Sequence, residues 1–193
     1  MVFDPFWSIE QLSERLARRE LSSVEAVTEL VRRIAALDGR LHAFCQIDEK
    51  GALTRALAAD EARARGTSTS PLLGVPFAVK DIFDQAGHGT HAGSNALNDR
   101  LPTRSANAVE KLESAGMVAI GRTNMVEFAY GGWGTNPVQG APRNPWGLDT
   151  HFVAGGQAAA RRLRLLVDSH QPLWVPIPAG RSARPPPGAE SSA

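Results

Sequence analysis

Cysteine is nearly absent: the chain of 193 residues has one, Cys45. An internal disulfide and a CxxC-type zinc site are thereby excluded. Its neighbours Ala43, Phe44 and Ile47 read as the surroundings of a buried thiol rather than of a nucleophile. Charge of one sign is also lacking. Net charge is +1, so nothing points to a nucleic acid or another polyanion as partner. No run is long and apolar enough to cross a membrane. The first residues hold Asp4 and Glu10 and no leading basic patch, so they do not read as a signal peptide, and a soluble cytoplasmic protein is the expectation. No internal repeat is found. What is present, 42% hydrophobic residues, suffices for one globular domain with a sizeable core.

The totals hide an asymmetry. Residues 157–193 hold five of the 21 basic residues, two of the 20 acidic ones, six of the 13 prolines and no lysine. Arg161, Arg162 and Arg164 sit near Leu163, Leu165 and Leu166 without clean amphipathic spacing. Pro172, Pro176, Pro178 and the run Pro185-Pro186-Pro187 forbid a continuous helix or a central strand. On composition this is an irregular, disordered, proline-rich basic tail.

The front of the chain reads as helices followed by α/β. Ser8 with Gln11 is a capping-box pattern opening a helix to about Arg19. Ser22 or Ser23 caps a second, in which Val24, Val27, Leu30, Val31, Ile34 and Leu37 recur at helical spacing and Gly39 marks the end. A short extended piece spans 41–47. An alanine-rich helix spans 52–65 and stops at Gly66. Residues 74–79 read as a buried strand with Lys80 at its end. A helix over 106–115 and a strand over 117–120 follow, and Gly121-Arg122-Thr123-Asn124 opens a short helix through Phe128. Strand, helix, strand at these lengths predicts an α/β sheet with a right-handed crossover. From Tyr130 to Gly156, glycine, proline and asparagine dominate, the mark of a long structured loop.

Which residues carry chemistry? Lys80 directly follows a near-apolar strand, so it points into the protein or the mouth of a site. A buried lysine loses proton affinity and can serve as a base near neutral pH. Taken alone it could equally pair with Asp81 or Asp84 at a surface edge. His88 and His91 share a glycine-rich loop with Thr90 and Ser94, but no further ligands are spaced for a metal and no triad is specified. Glu127 and Asn124 read as a local hydrogen-bonding pair. No cofactor is indicated.

Together these pieces resemble the amidase signature family, serine hydrolases and amidotransferase subunits that cleave carboxamides. The likeness covers roughly residues 8–156. It is carried by Gly74-Val75-Pro76-Phe77-Ala78-Val79-Lys80-Asp81, Ala92-Gly93-Ser94, Leu112-Glu113-Ser114-Ala115-Gly116, Gly121-Arg122-Thr123-Asn124-Met125-Val126-Glu127-Phe128-Ala129, Asn136 and Arg143-Asn144-Pro145-Trp146, in that order. The resemblance implies an α/β fold on a mixed sheet flanked by helices, of which this chain holds an incomplete part. It implies that Lys80 is the catalytic base of a Ser–cis-Ser–Lys triad acting on a small-molecule amide. In the family pattern, Gly-Gly-Ser-Ser-Gly-Gly-Ser follows Asn-Pro-Trp and holds the bridging serine, and Gly-Thr-Asp-Thr-Gly-Gly-Ser-[Ile/Val]-Arg holds the nucleophile. This chain reaches Gly155-Gly156 and then gives Gln157.

The tail conceals both motifs in another reading frame. Triplets built from the last base of one codon and the first two of the next can be derived from the residues. Trp174 is encoded only by TGG and valine codons begin GT, so the triplet across Trp174 and Val175 is GGT, glycine. The following triplets, through Ser182 and Ala183, permit Thr, Asp, Thr, Gly, Gly, Ser, Val and Arg in order. Residues 161–169 permit the expected alanine-rich helix, and the triplet across Gly156 and Gln157 permits serine. The two serine triplets lie 24 codons apart, the family spacing. Loss of one base at the Gly155-Gly156 codons would produce this pattern. The expected organisation is therefore an amidase portion over 1–156 and an out-of-frame tail over 157–193. The resulting chain would be inactive, marginally stable, and short of neighbours for the strands 75–79 and 117–120. The alternative is a non-catalytic interaction module whose basic tail binds a partner. The sequence leaves oligomeric state and substrate open.

Overall fold

Two reciprocal capping boxes open the first two helices, the one at Ser8 and Gln11 as its spacing predicts. In the computed structural model, which describes residues 3–131, 134–143 and 145, helix α1 spans Ile9–Ala17 and helix α2 spans Ser23–Leu41. The Ser8 hydroxyl accepts from the Gln11 amide at 3.1 Å and the Gln11 side chain accepts from the Ser8 amide at 2.8 Å. Ser22 and Glu25 repeat the arrangement for α2. Helix α2 does not stop at Gly39. It continues to Leu41 and ends on His42, whose φ of 49° is left-handed. The Asp38 carboxylate makes this ending possible by accepting from the Ala43 and Phe44 amides at 2.7 and 3.2 Å. Helix α3 spans Glu49–Arg65, opening earlier than expected because Asp48 caps it, and ends at Gly66 with φ 66°.

Asp60 on α3 supplies a second cap for α2, accepting from the Ser23 and Val24 amides at 2.8 and 3.0 Å while pairing with Arg63. Asp60→Ala leaves these amides without their carboxylate and frees Arg63 from its partner. We expect a loss of about 1–2 kcal/mol, read as a lower denaturant midpoint at unchanged slope. A midpoint indistinguishable from wild type would refute this capping role.

Strand β1 spans Phe44–Ile47, β2 Pro76–Lys80 and β3 Val118–Thr123, with helix α4 at Asn107–Ser114 crossing between β2 and β3. The sheet order is β1-β3-β2, with β1 antiparallel and β2 parallel to β3. This is the mixed sheet flanked by helices that the resemblance implies. Two expectations need correction. Gly121, Arg122 and Thr123 do not open a helix; they prolong β3 by three residues, and a single turn of 3₁₀ helix follows at Glu127–Ala129. Burial of Arg122 in an ion pair lets the strand carry a charge inward. Nor does β3 lack neighbours, being paired on both sides. Strand β2 has β3 alone among the described residues.

Apolar side chains fill both sides of the sheet. Val27, Val31 and Ile34 of α2 pack with Ala52 and Ala56 of α3 onto Phe44, Val118 and Ile120. Val79, Val109 and Ala119 form a smaller cluster beneath α4. Each buried valine or isoleucine contributes about 1.5–3 kcal/mol, so this packing fixes where the carboxyl ends of β2 and β3 lie. The expectation of an irregular tail over 157–193 falls outside the described residues.

Candidate active site

Lys80 and Thr123 are register partners at the carboxyl ends of the parallel strands β2 and β3. That edge is where α/β sheets present residues to ligands. Lys80 is half-buried, and burial pushes its amine below the ordinary lysine range. It forms no ion pair among the described residues, which removes the surface-edge alternative. Asp81 pairs with Arg122 at 3.0 Å and Asp84 with Arg100 at 2.7 Å. The Thr123 hydroxyl, 2% exposed as a residue, has no hydrogen-bond partner among the described residues.

Asp81, fully buried, organises the loop beside Lys80. Its side chain accepts from Arg122 Nε and from the Gly93 amide at 3.1 Å, with a longer 3.4 Å contact from the His91 amide. Its carbonyl accepts from the Ala92 amide at 3.1 Å, and its own amide donates to the Thr123 carbonyl at 3.2 Å. Arg122, 1% exposed, also donates to the Phe83 carbonyl at 2.8 Å and to Thr90 Oγ1 at 3.1 Å. Its Nη1 is buried with no partner among the described residues.

The segment after β3 closes over the same loop. Phe128 donates its amide to the Ala92 carbonyl at 2.8 Å. Ala92, Phe128 and Ala129 all have left-handed backbones, φ 50°, 50° and 57°, a conformation costing a non-glycine residue about 1 kcal/mol or more. Gly93 has φ 71°, and a Cβ there would lie 2.7 Å from Asn136 Nδ2 and 2.9 Å from the Met125 carbonyl. Asn136 clamps both segments, donating to the Gly93 and Met125 carbonyls at 2.9 and 2.7 Å and accepting from the Val138 and Gln139 amides.

The remaining candidates separate from this centre. His88 sets its ring between the Ala86 carbonyl at 3.1 Å and Asp48 Oδ2 at 3.3 Å. Burial raises the Asp48 carboxyl, but Arg55, His88 and the Gly51 amide outweigh it and hold the group below the usual carboxylate range. His91 enters through its backbone. Ser94 caps the short turn Asn95–Leu97. Among the described residues no three His, Cys, Asp or Glu side chains are placed to hold a metal ion. Burial pushes the Cys45 thiol up to about 12, which leaves it protonated and unreactive. Asn124 does not pair with Glu127; it donates to the carbonyls of His42 and Gly140 at 3.2 and 2.8 Å. Sequence reasoning quoted Arg122 and Asp81 within the motifs of the resemblance but gave Arg122 no role and Asp81 only that of a possible surface partner of Lys80. An acid next to the strand-end lysine was the one local signal.

A family model described as Amidase matches residues 25–160. A glutamyl-tRNA(Gln) amidotransferase subunit of Acidothermus cellulolyticus is 40% identical over 178 residues, 91% of this chain and 34% of the relative. Its counterpart in Azoarcus sp. is 42% identical over 183 residues, 93% of this chain and 36% of the relative. Matches of this length necessarily include part of residues 157–193. The peptide amidase from Stenotrophomonas maltophilia superimposes with a TM-score of 0.74 at 30% identity, covering 83% of this chain and 34% of that one. A protein from a vestigial complex, linked to the origins of an s-triazine catabolic enzyme, gives 0.76 at 35% identity, over 81% of this chain and 34% of that one. The chain thus spans about a third of the length of the relatives it matches.

Proposed function

The chain belongs to the amidase family, and from that premise we propose that Lys80 is the general base of a Ser–cis-Ser–Lys triad that hydrolyses a carboxamide C–N bond in the intact parent protein. We further propose that the chain as written retains the lysine alone. The observation carrying this reading is Lys80 itself: half-buried, without an ionic partner among the described residues, at the carboxyl edge of the parallel strands. Burial favours the neutral amine, which can accept a proton from the bridging serine. That serine in turn takes the proton of the nucleophilic serine as its oxygen bonds to the amide carbon. The C–N bond breaks as the departing amine is protonated, leaving an acyl-enzyme that water hydrolyses. Backbone amides of a glycine-rich loop would hold the oxyanion.

Both serines fall in the other reading frame. The family model ends at residue 160, just beyond Gly156, which supports the frame reading. In the present frame Ser182 lies within Gly180-Arg181-Ser182-Ala183-Arg184, past the nucleophile triplet and with arginine where the motif has glycine. Ser169, Ser191 and Ser192 lie outside any glycine-rich element. The named relatives make an amidotransferase component one candidate for the intact parent and a peptide amidase another; both open a carboxamide.

The purified chain is therefore expected to show no turnover on a panel of simple aryl, aliphatic and peptide amides and glutamine. Ammonia or amine release is the readout. Turnover that disappears in Lys80→Ala would overturn the claim of inactivity, and its loss in Ser182→Ala would identify a nucleophile in the present frame.

A further inference from the structure

Asp81 and Arg122 form a buried ion pair that brackets the Lys80–Thr123 register pair: each charged residue is the chain neighbour of one member. From this geometry we infer that Arg122 is a positioning residue, which through Asp81 fixes the place and environment of the Lys80 amine. The inference rests on the reading of Lys80 as the base and adds a residue to it.

The pair does more than a structural ion pair needs to. Exposed at 1% and 0%, the two residues meet inside the protein, where an ion pair seldom adds stability over apolar packing. Its contacts all converge on the end of β2. Asp81 gathers the Gly93 and Ala92 amides, Arg122 gathers the Phe83 carbonyl and Thr90, and Phe128 is tied in through Ala92. Lys80 lies between two residues of this frame, since Asp81 follows it and Thr123 flanks it across the sheet. Asp81 is turned inward to Arg122, so the pair acts on the Lys80 amine through the strand end that it anchors. With Arg122 removed, the Asp81 carboxylate is left buried without its cation, and the strand end loses its ties to the Phe83 carbonyl and to Thr90, so Lys80 is no longer held in its half-buried place.

The test is the reactivity of Lys80 in the full chain toward acetic anhydride across pH, read by mass spectrometry, with Lys50 and Lys111 as internal references. In wild type, Lys80 should reach half-maximal labelling at lower pH than either reference. If it does not, the reading of Lys80 as a base fails, whatever Arg122 does. In Arg122→Met, labelling of Lys80 near neutral pH should fall about threefold relative to Lys50, because a loosened strand end returns the amine to water and raises its proton affinity toward that of an ordinary lysine. Arg122→Lys, which keeps a cation against Asp81, should restore most of it. A purely structural role would change stability but leave Lys80 labelling as in wild type. Should Arg122→Met not fold, Thr90→Val removes one bond donated by the Arg122 guanidinium and keeps the ion pair, and should move Lys80 the same way by less. Wild-type labelling of Lys80 in either folded variant overturns the inference.

Discussion

Restoring one base at the Gly155-Gly156 codons is expected to open a frame that continues well beyond residue 193 and yields a protein that hydrolyses a carboxamide. The present residues already constrain that frame. The triplet across Trp174 and Val175 must be glycine, and its successors permit the rest of the nucleophile motif in order. The bridging serine and the nucleophile would appear together, 24 codons apart, and the sheet edge at β2 would gain the chain that follows. Turnover should rise from none to about 1 s⁻¹ or more on the best substrate. Lys80→Ala in the repaired protein should then lower it by about 10²–10⁴, the usual worth of a general base. Downstream DNA sequence is the first check, and early stop codons in the restored frame would count against the whole reading. A repaired, soluble enzyme indifferent to Lys80→Ala would leave the frame intact and remove the base.

Local signals in the sequence map faithfully onto structure, and non-local ones do not. Ser8 with Gln11 acts within one turn of helix, so its spacing is enough to place the start of α1, and Ser22 or Ser23 places the start of α2 to within a residue. Gly66 ends α3 through its own backbone freedom. Gly39 misleads because the stop of α2 is decided elsewhere: Asp38 takes the amides of Ala43 and Phe44, and His42 accepts a left-handed backbone in return. The end of β3 is hard to place for a related reason. Gly121-Arg122-Thr123-Asn124 reads as the opening of a helix, whereas the partner of Arg122, Asp81, lies 41 residues earlier and receives it in the interior. Asn124 likewise reaches back to His42 and forward to Gly140 rather than to its helical neighbour. Lys80 is legible as a strand-end lysine in a recognisable motif. The residues that hold it in place are not, because they come together only in three dimensions.

That separation makes Asp81→Ala the most damaging single substitution we expect in the described part of the chain. It leaves the Arg122 guanidinium buried with its Nε unpartnered beside an Nη1 that already has no partner among the described residues. It also leaves the Gly93 amide without its acceptor. Removing one member of a buried pair costs about 3–5 kcal/mol, a large share of the roughly 5–15 kcal/mol that holds a domain together. The variant should therefore unfold at a much lower denaturant concentration, and the loop over 90–94 should become the first site of proteolysis. Pairing it with Arg122→Met removes the stranded charge, so the double variant should be more stable than Asp81→Ala alone by about 1 kcal/mol or more. It should still fall short of wild type, because the Phe83 carbonyl, Thr90 and the Gly93 amide keep their unmet bonds. If Asp81→Ala costs under about 1 kcal/mol, or if the two losses simply add, then the charges do not depend on each other and the Asp81–Arg122 pair is not what fixes the carboxyl end of β2.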